Sequence, residues 1–335
     1  MIVRLGFVAM STAEVMKGVS PSRTMTLKSF AKLADREAAL RKLEHIAAEN
    51  LHNTLRLLKH CTYNDVHVYR LTSKLIPLAT HPDLVDWNPF AALADSFREV
   101  GDYAREHQMR LSFHPDHFTV LSTPRPEVLE SSIRDLRYHV DMFEAMGLDC
   151  RAKNNIHIGG AYGDKPSAGE RFAEAAVKLP ESFKRRLTLE NDDKTFDAIE
   201  TLEMCERLSL PMVLDIHHQW VNNQGETPSE LWPRILRTWE SDYAQADSPA
   251  DRPLPPKIHA SSPKSETDRR SHADGVEAGP LLDFLRSIAS VTEEVDVMLE
   301  AKLKDGALFA LMDELSHYQG DGVEILDRAS VRISG

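Results

Sequence analysis

Met212-Val213-Leu214-Asp215-Ile216-His217-His218 joins a short apolar run to a carboxylate at its end and a histidine three residues later. Five other runs close on, or one step before, a residue that can bind a metal: Ser112-Phe113-His114, Ile156-His157, Leu189-Glu190, Ile258-His259 and Leu299-Glu300. Side chains at the carboxyl ends of separate parallel strands converge on one mouth when the strands close into a barrel, and the active sites of such barrels lie there. Two Glu, one Asp and three His make a mixed oxygen and nitrogen donor set, suited to Zn or Mn rather than to Ca alone.

Working outward, strand-like runs alternate with helical ones. Strands are expected near Val3 to Val8, Val66 to Leu71, Arg110 to His114, Asn155 to Ile158, Arg186 to Glu190, Met212 to Asp215, Lys257 to Ala260 and Val295 to Glu300. Helices are expected at Asp35 to Lys59, Asn88 to His107, Arg125 to Met146, Ser167 to Lys178, Thr195 to Leu208, Pro228 to Glu240, Ala278 to Ser290 and Lys304 to Tyr318. Eight strands, each followed by a helix, predict an α/β fold: a single (β/α)8 TIM barrel over residues 1–320, with a metal cluster at the C-terminal ends of its strands and a tail at 321–335. The loops Met10 to Ser29, Asp116 to Pro126 and Ser261 to Glu277 follow strands and so belong on the catalytic face. Asp247 to Pro256 precedes a strand and belongs on the opposite rim.

Composition narrows the function classes. Hydrophobic content of 42% and charged content of 27% over 335 residues are those of a globular enzyme. No run approaches the roughly 18 apolar residues of a membrane span. Ile2 to Val8 carries Arg4 and no cleavage-like segment, so a cytoplasmic location is expected. Cys61, Cys150 and Cys205 are odd in number and form no Cys-x-x-Cys pair, as in reduced structural thiols. A net charge of -12 argues against gripping nucleic acid with the whole surface, but leaves room for a local groove where bound cations offset the acids.

The motifs then divide by role. Glu190 and Glu300, with Asp215 and His259, crowd acidic groups at one mouth, an arrangement that costs free energy unless cations compensate. An Asp at a strand end with a His three residues later lets Asp215 and His218 reach adjacent metals, while His217 points elsewhere. His114-Pro115-Asp116-His117-Phe118 aims His114 at the mouth and projects His117 and Phe118 outward. There Phe118 either wedges into bases or covers the core beneath its loop. His157-Ile158-Gly159-Gly160-Ala161-Tyr162-Gly163-Asp164-Lys165 adds a histidine, a glycine turn and a lysine. It lacks the ending of a P-loop.

Together with Arg4-Leu5-Gly6-Phe7, Leu189-Glu190-Asn191-Asp192, Lys257-Ile258-His259 and Glu300-Ala301-Lys302, these strings resemble the UV damage endonuclease family from the first strand to the last. That family is similar to endonuclease IV in barrel architecture and metal cluster. The resemblance implies a DNA repair enzyme that nicks damaged double-stranded DNA immediately 5′ to a UV photoproduct, and sometimes to an abasic site. It implies up to three divalent ions, Mn expected and Zn or Mg as alternatives. His114 and His157 would share one ion with Glu190; Glu190, Asp215, His259 and Glu300 would surround a second; His218 and His272 would hold a third. It further implies that Lys257 becomes a ligand as a carbamate, since an ammonium offers no acceptor. The catalytic set is then Glu190, Asp215, Glu300 and Lys257. DNA contacts are expected from His117 and Phe118, which stand where relatives carry a Gln-Tyr probe, and from Tyr162, Lys165, Arg23, Lys264 and Arg269, with Lys17 and Arg270 as further candidates. The chain is expected to act as a monomer without a membrane or an obligate protein partner. A metal-dependent sugar isomerase or epimerase on the same barrel is the competing reading, because fold alone does not separate the two.

Overall fold

The computed structural model describes residues 1–116, 118–240 and 253–335; His117 and residues 247–252 of the proline-rich loop lie outside them. Eight strands run parallel in chain order: β1 (Ile2–Val8), β2 (Val68–Arg70), β3 (Arg110–Phe113), β4 (Lys153–His157), β5 (Leu187–Glu190), β6 (Met212–Asp215), β7 (Lys257–Ala260) and β8 (Glu294–Leu299). The barrel closes because β1 pairs with β8 along one edge and with β2 along the other. Around it lie α1 (Leu27–Ala31), α2 (Arg36–Tyr63), α3 (Ala94–Glu106), α4 (Pro126–Ala145), α5 (Lys165–Lys178), α6 (Glu181–Lys184), α7 (Ala198–Leu208), α8 (Ile216–Val221), α9 (Pro228–Glu240), α10 (Ala278–Ile288) and α11 (Asp305–Ser316). The expected TIM barrel is the observed one. Of the described helices, α1, α6 and α8 are short and fall outside the expected set.

Alternation along each strand sorts the side chains. Leu5, Phe7, Leu111, Ile156, Leu189, Leu214, Ile258 and Val297 are buried in the large apolar cluster that joins strands to helices. Their neighbours face the barrel interior, which is unusually polar: Ser112, Lys153, Asn155, Thr188 and Lys257 line one internal space with Arg110 and His259. Branched aliphatic residues fill most such barrels. Here Val8, Val68 and Met298 form a small interior cluster apart from the main core. Lower in the barrel, Asp296 accepts from Arg4 Nε at 2.7 Å and from Arg110 Nη1 at 2.6 Å.

Residues 321–335, expected as a tail, carry two further strands, β9 (Val323–Ile325) and β10 (Ser330–Ile333). β10 lies antiparallel on Ile2 to Arg4, whereas β2 covers only Gly6 to Val8 of that same edge. Without β10 the first half of β1 would leave its backbone groups unpaired. At the opposite, catalytic end, α2 is 28 residues long, or ~42 Å at 1.5 Å per residue. Its amino half packs Ala39 and Leu43 against Met25, Phe30 and Leu84 in a second apolar cluster. Those partners come from the loops after β1 and β2, so the cluster forms a wall on the face where the strands end.

Candidate metal centre

Asp215 has two structural duties. It ends β6, and its Oδ1 caps α8 by accepting from the His218 N–H at 2.7 Å. That leaves Oδ2, which is buried and has no hydrogen-bond partner. Asn191, directly after Glu190, locks the turn: it accepts from the Asp215 N–H at 2.9 Å and donates to the Asp215 carbonyl at 3.0 Å. The Asn191 carbonyl also sits 2.9 Å from His218 Nδ1 and aims that ring.

Glu190 ends β5 opposite His157 of β4. Its Oε2 lies 3.0 Å from His114 Nε2 and 4.0 Å from His157 Nε2, and its Oε1 lies 3.0 Å from His259 Nδ1 and 3.7 Å from His218 Nδ1. Asn155 donates to Oε2 as well. His259 Nδ1 is equally 3.0 Å from Glu300 Oε1. Among the described residues three groups of donors, each within 4.8 Å, result: His114, His157 and Glu190; Glu190, Asp215 and His218; Glu190, His259 and Glu300. Glu190 belongs to all three.

The residues fit divalent metal. The donors are imidazole nitrogens and carboxylate oxygens, a set suited to Zn or Mn, and the orphaned Asp215 Oδ2 is a buried acceptor in want of a cation. His114 Nδ1 is 3.0 Å from the Pro115 carbonyl and His157 Nδ1 is 3.2 Å from the Glu190 carbonyl. Each Nδ1 thus donates to a backbone carbonyl, which leaves Nε2 as the nitrogen that would meet a metal at the mouth.

Among themselves these groups already share charge. Burial disfavours the Glu190 carboxylate, yet His259, His157 and His114 hold it well below the usual carboxylate range. Burial likewise opposes Glu300, which Arg70 and His259 hold well down. Burial raises Asp215, and Glu190 and Glu300 add to that rise against the pull of His218. His218 and His259 are pushed up to about 9, because the carboxylates around them outweigh the desolvation that would lower them. His157 goes the other way, lowered by burial and by the imidazoles of His114 and His218 despite Glu190.

This yields a prediction for metal entry. Both raised imidazoles exceed the ordinary value of about 6.5, so the stability they lend the metal-free chain is complete below about pH 6.5. It is lost as pH rises through about 9. Divalent metal requires neutral imidazole, so binding near pH 7.5 should expel about two protons per chain. Calorimetric titration with Mn in buffers of different ionisation enthalpy measures the number; release near zero would mean that neither ring is protonated beforehand.

Other expected residues fall differently. Asp215 groups with His218 rather than with His259 and Glu300. His272 joins none of the three groups: its Nδ1 is 2.7 Å from the Glu300 carbonyl, and its ring centre is 6.4 Å from that of His218. His217 turns away, as expected, to Ser261 and the Arg269 carbonyl. Lys257 is buried below His259 on β7, with Nζ 3.0 Å from Ser112 Oγ. Burial, then Arg110, pushes its amine well below the ordinary lysine value. Phe118 is 74% exposed and Tyr162 43% exposed. Lys165 is paired with Glu200 at 2.6 Å, Arg23 with Glu49 at 3.2 Å, Lys264 with Asp268 at 3.6 Å, Arg270 with Asp193 at 3.6 Å and Lys17 with Glu14 at 2.9 Å. Arg269 is exposed. Sequence reasoning missed Arg70, Asn155 and Asn191. Asn191 could have been found from its place directly after a ligand-type glutamate; Asn155 from its place two residues, one inward-facing step, before His157.

Fold and site together define a (β/α)8 barrel with a candidate multi-metal centre at its mouth. The model of the UV-endonuclease UvdE family matches residues 3–329, and the chain belongs to that family. It is 41% identical over 335 residues, the whole of both chains, to the UV DNA damage endonuclease of Halalkalibacterium halodurans. The crystal structure of SacUVDE is similar with a TM-score of 0.79 and 28% identity, covering 94% of this chain and 98% of that one. Endonuclease IV from Thermus thermophilus, at 14% identity and a TM-score of 0.54 over 93% of this chain and 99% of that one, shares the fold. Among the described residues no helix is long and apolar enough to cross a membrane.

Proposed function

We propose that this chain is a DNA repair endonuclease that hydrolyses the phosphodiester bond immediately 5′ to UV photoproducts, both pyrimidine dimers and 6-4 photoproducts, and that abasic sites are further substrates. Mn is the proposed metal, in up to three ions, with Zn or Mg able to replace it. The observation that carries the reading is Glu190, a single buried carboxylate common to three donor groups. Bound divalent ions would supply Lewis acidity toward the phosphate and a water of lowered pKa, so no protein nucleophile is needed.

The chain's own residues do the rest. Glu190 would hold ions through both oxygens, with His114 and His157 on one side and His259 and Glu300 on the other. Asp215 would offer Oδ2, held in place by the cap it makes with Oδ1. Lys257, as a neutral amine, would form an N–C bond to CO2 with loss of one proton, becoming an anionic carbamate beneath His259. Phe118 would stack on or wedge between bases at the lesion, and Tyr162, on a glycine turn at the same face, would flank the backbone. Exposed Arg269 would contact phosphates, as would Lys165, Arg23 and Lys264 once released from their acidic neighbours. His117 is proposed beside Phe118, and His272 as a ligand reached by movement of its loop. The proposed partner is damaged duplex bound by a monomer in the cytoplasm.

A sugar isomerase or epimerase would use the same kind of donors, but the family match over residues 3–329 favours DNA. The test is a duplex carrying one defined photoproduct, with the nick mapped to the nucleotide. A cut on the 5′ side of the lesion that chelator abolishes is expected. No cut, together with turnover of a ketose, would reverse the choice.

A further inference from the structure

Six of the eight strands deliver a ligand-type side chain within one residue of their carboxyl ends, and β1 ends on Val8. β2 ends on Arg70. Arg70 pairs in register with Val8 on one side and with Ser112 on the other, and it lines the internal space with Ser112, Lys257 and His259. It donates to Glu300 Oε1, the oxygen that also lies 3.0 Å from His259 Nδ1. Among the described residues Glu300 is the sole hydrogen-bond partner of the Arg70 side chain. A guanidinium carries five donors, and this one is 17% exposed, at the edge of the mouth. One bond therefore leaves most of its donor capacity unused beside a candidate metal ligand.

We propose that Arg70 is a displaceable counter-charge of the centre: it occupies Glu300 while the metal is absent, and gives up that carboxylate when a divalent ion takes it, turning its free donors to a phosphate oxygen of the substrate. Two facts of charge support the exchange. Both lone pairs of Glu300 Oε1 are taken by a guanidinium and an imidazole, so an ion binding through that oxygen must displace one of them, and an ion held by Oε2 still places a double positive charge beside the guanidinium and repels it. A freed guanidinium at a mouth lined by carboxylates is then the natural partner of a phosphate, which it binds in a two-pronged way. Coupling of this kind is reciprocal: whatever weakens the Arg70 bond to Glu300 must strengthen metal binding there.

The second half of the proposal rests on the DNA reading; the first half does not, and the experiment separates them. Calorimetric Mn titration of metal-free protein, wild type against Arg70→Gln and Arg70→Lys, reads the competition without any nucleic acid. Arg70→Gln should bind Mn about tenfold more tightly, with Arg70→Lys close to wild type because a cation still faces Glu300. Unchanged or weaker binding in Arg70→Gln overturns the proposal and makes Arg70 a residue that merely orients Glu300. Binding of UV-irradiated duplex by the Mn-loaded proteins is then measured against salt. Arg70→Gln should lose affinity and lower the salt slope by about one. An unchanged slope with tighter Mn binding overturns the phosphate contact, whereas absence of duplex binding by wild type instead refutes the DNA reading.

Discussion

Glu190→Gln is expected to reduce nicking of UV-irradiated plasmid in Mn buffer by at least about 10³-fold, the factor that goes with losing roughly 4 kcal/mol of transition-state stabilisation. The amide keeps the size and shape of the carboxylate, so the surrounding packing survives. What changes is charge and lone pairs. Glu190 takes part in every one of the three donor groups, and a carboxamide presents one oxygen and one NH2 where two anionic oxygens stood. Its NH2 would face either His114 Nε2 or His259 Nδ1, both 3.0 Å from the present oxygens. The imidazoles lose in the same stroke the anion that helps raise His259. Bound Mn per chain, measured by elemental analysis after gel filtration, should fall along with activity. Near-normal nicking would remove Glu190 from the mechanism, and full metal content without nicking would confine its role to the water.

The strand-end ligands were legible because of a local regularity. Outward residues such as Leu189, Leu214 and Ile258 are buried against helices, so they read as apolar runs, and the last inward residue of each run stands out by its polarity. The same regularity explains why strand bounds from Met212 to Asp215 and Lys257 to Ala260 coincide with those observed. Arg70 was not legible, because its bond to Glu300 exists only once β8, β1 and β2 are adjacent in the closed barrel. β9 and β10 were missed for a related reason. Val323–Ile325 and Ser330–Ile333 end on no metal-binding side chain and are followed by no helix that would mark a further βα unit, and they gain their partners from an edge of β1 that is open because β2 starts opposite Gly6. The capping role of Asp215 is a third case: its spacing to His218 pointed to shared metal chemistry, and the geometry adds that one oxygen starts a helix while the other is left over.

Asp296→Ala is expected to cost about 3–5 kcal/mol of stability, the range found when one partner of a buried ion pair is removed. Asp296 is fully buried on β8 and accepts from Arg4 Nε at 2.7 Å, Arg4 Nη2 at 2.9 Å and Arg110 Nη1 at 2.6 Å. Burial opposes its charge, but Arg110 and Arg4 together hold its carboxyl below the ordinary range. Arg110 stays below its own ordinary value, since burial removes more than one carboxylate returns. Burial thus outweighs the carboxylate on the arginine side, and Arg110 Nη2 is already buried without a hydrogen-bond partner. Taking Asp296 away leaves that guanidinium with the Pro255 carbonyl at 2.7 Å and with Lys257 as a neighbour whose amine it already depresses. Because the folded carboxyl lies below the unfolded value near 3.9, its contribution is present above about pH 3.9 and disappears as pH falls through the lower folded value. Urea midpoints at neutral pH and at low pH should thus differ more for wild type than for Asp296→Ala. Asp296→Asn, which keeps an acceptor without the charge, should fall between them. A loss under about 1 kcal/mol for the alanine variant would mean that water or backbone carbonyls can replace the carboxylate, and that the buried cations of this barrel do not depend on a single counter-ion.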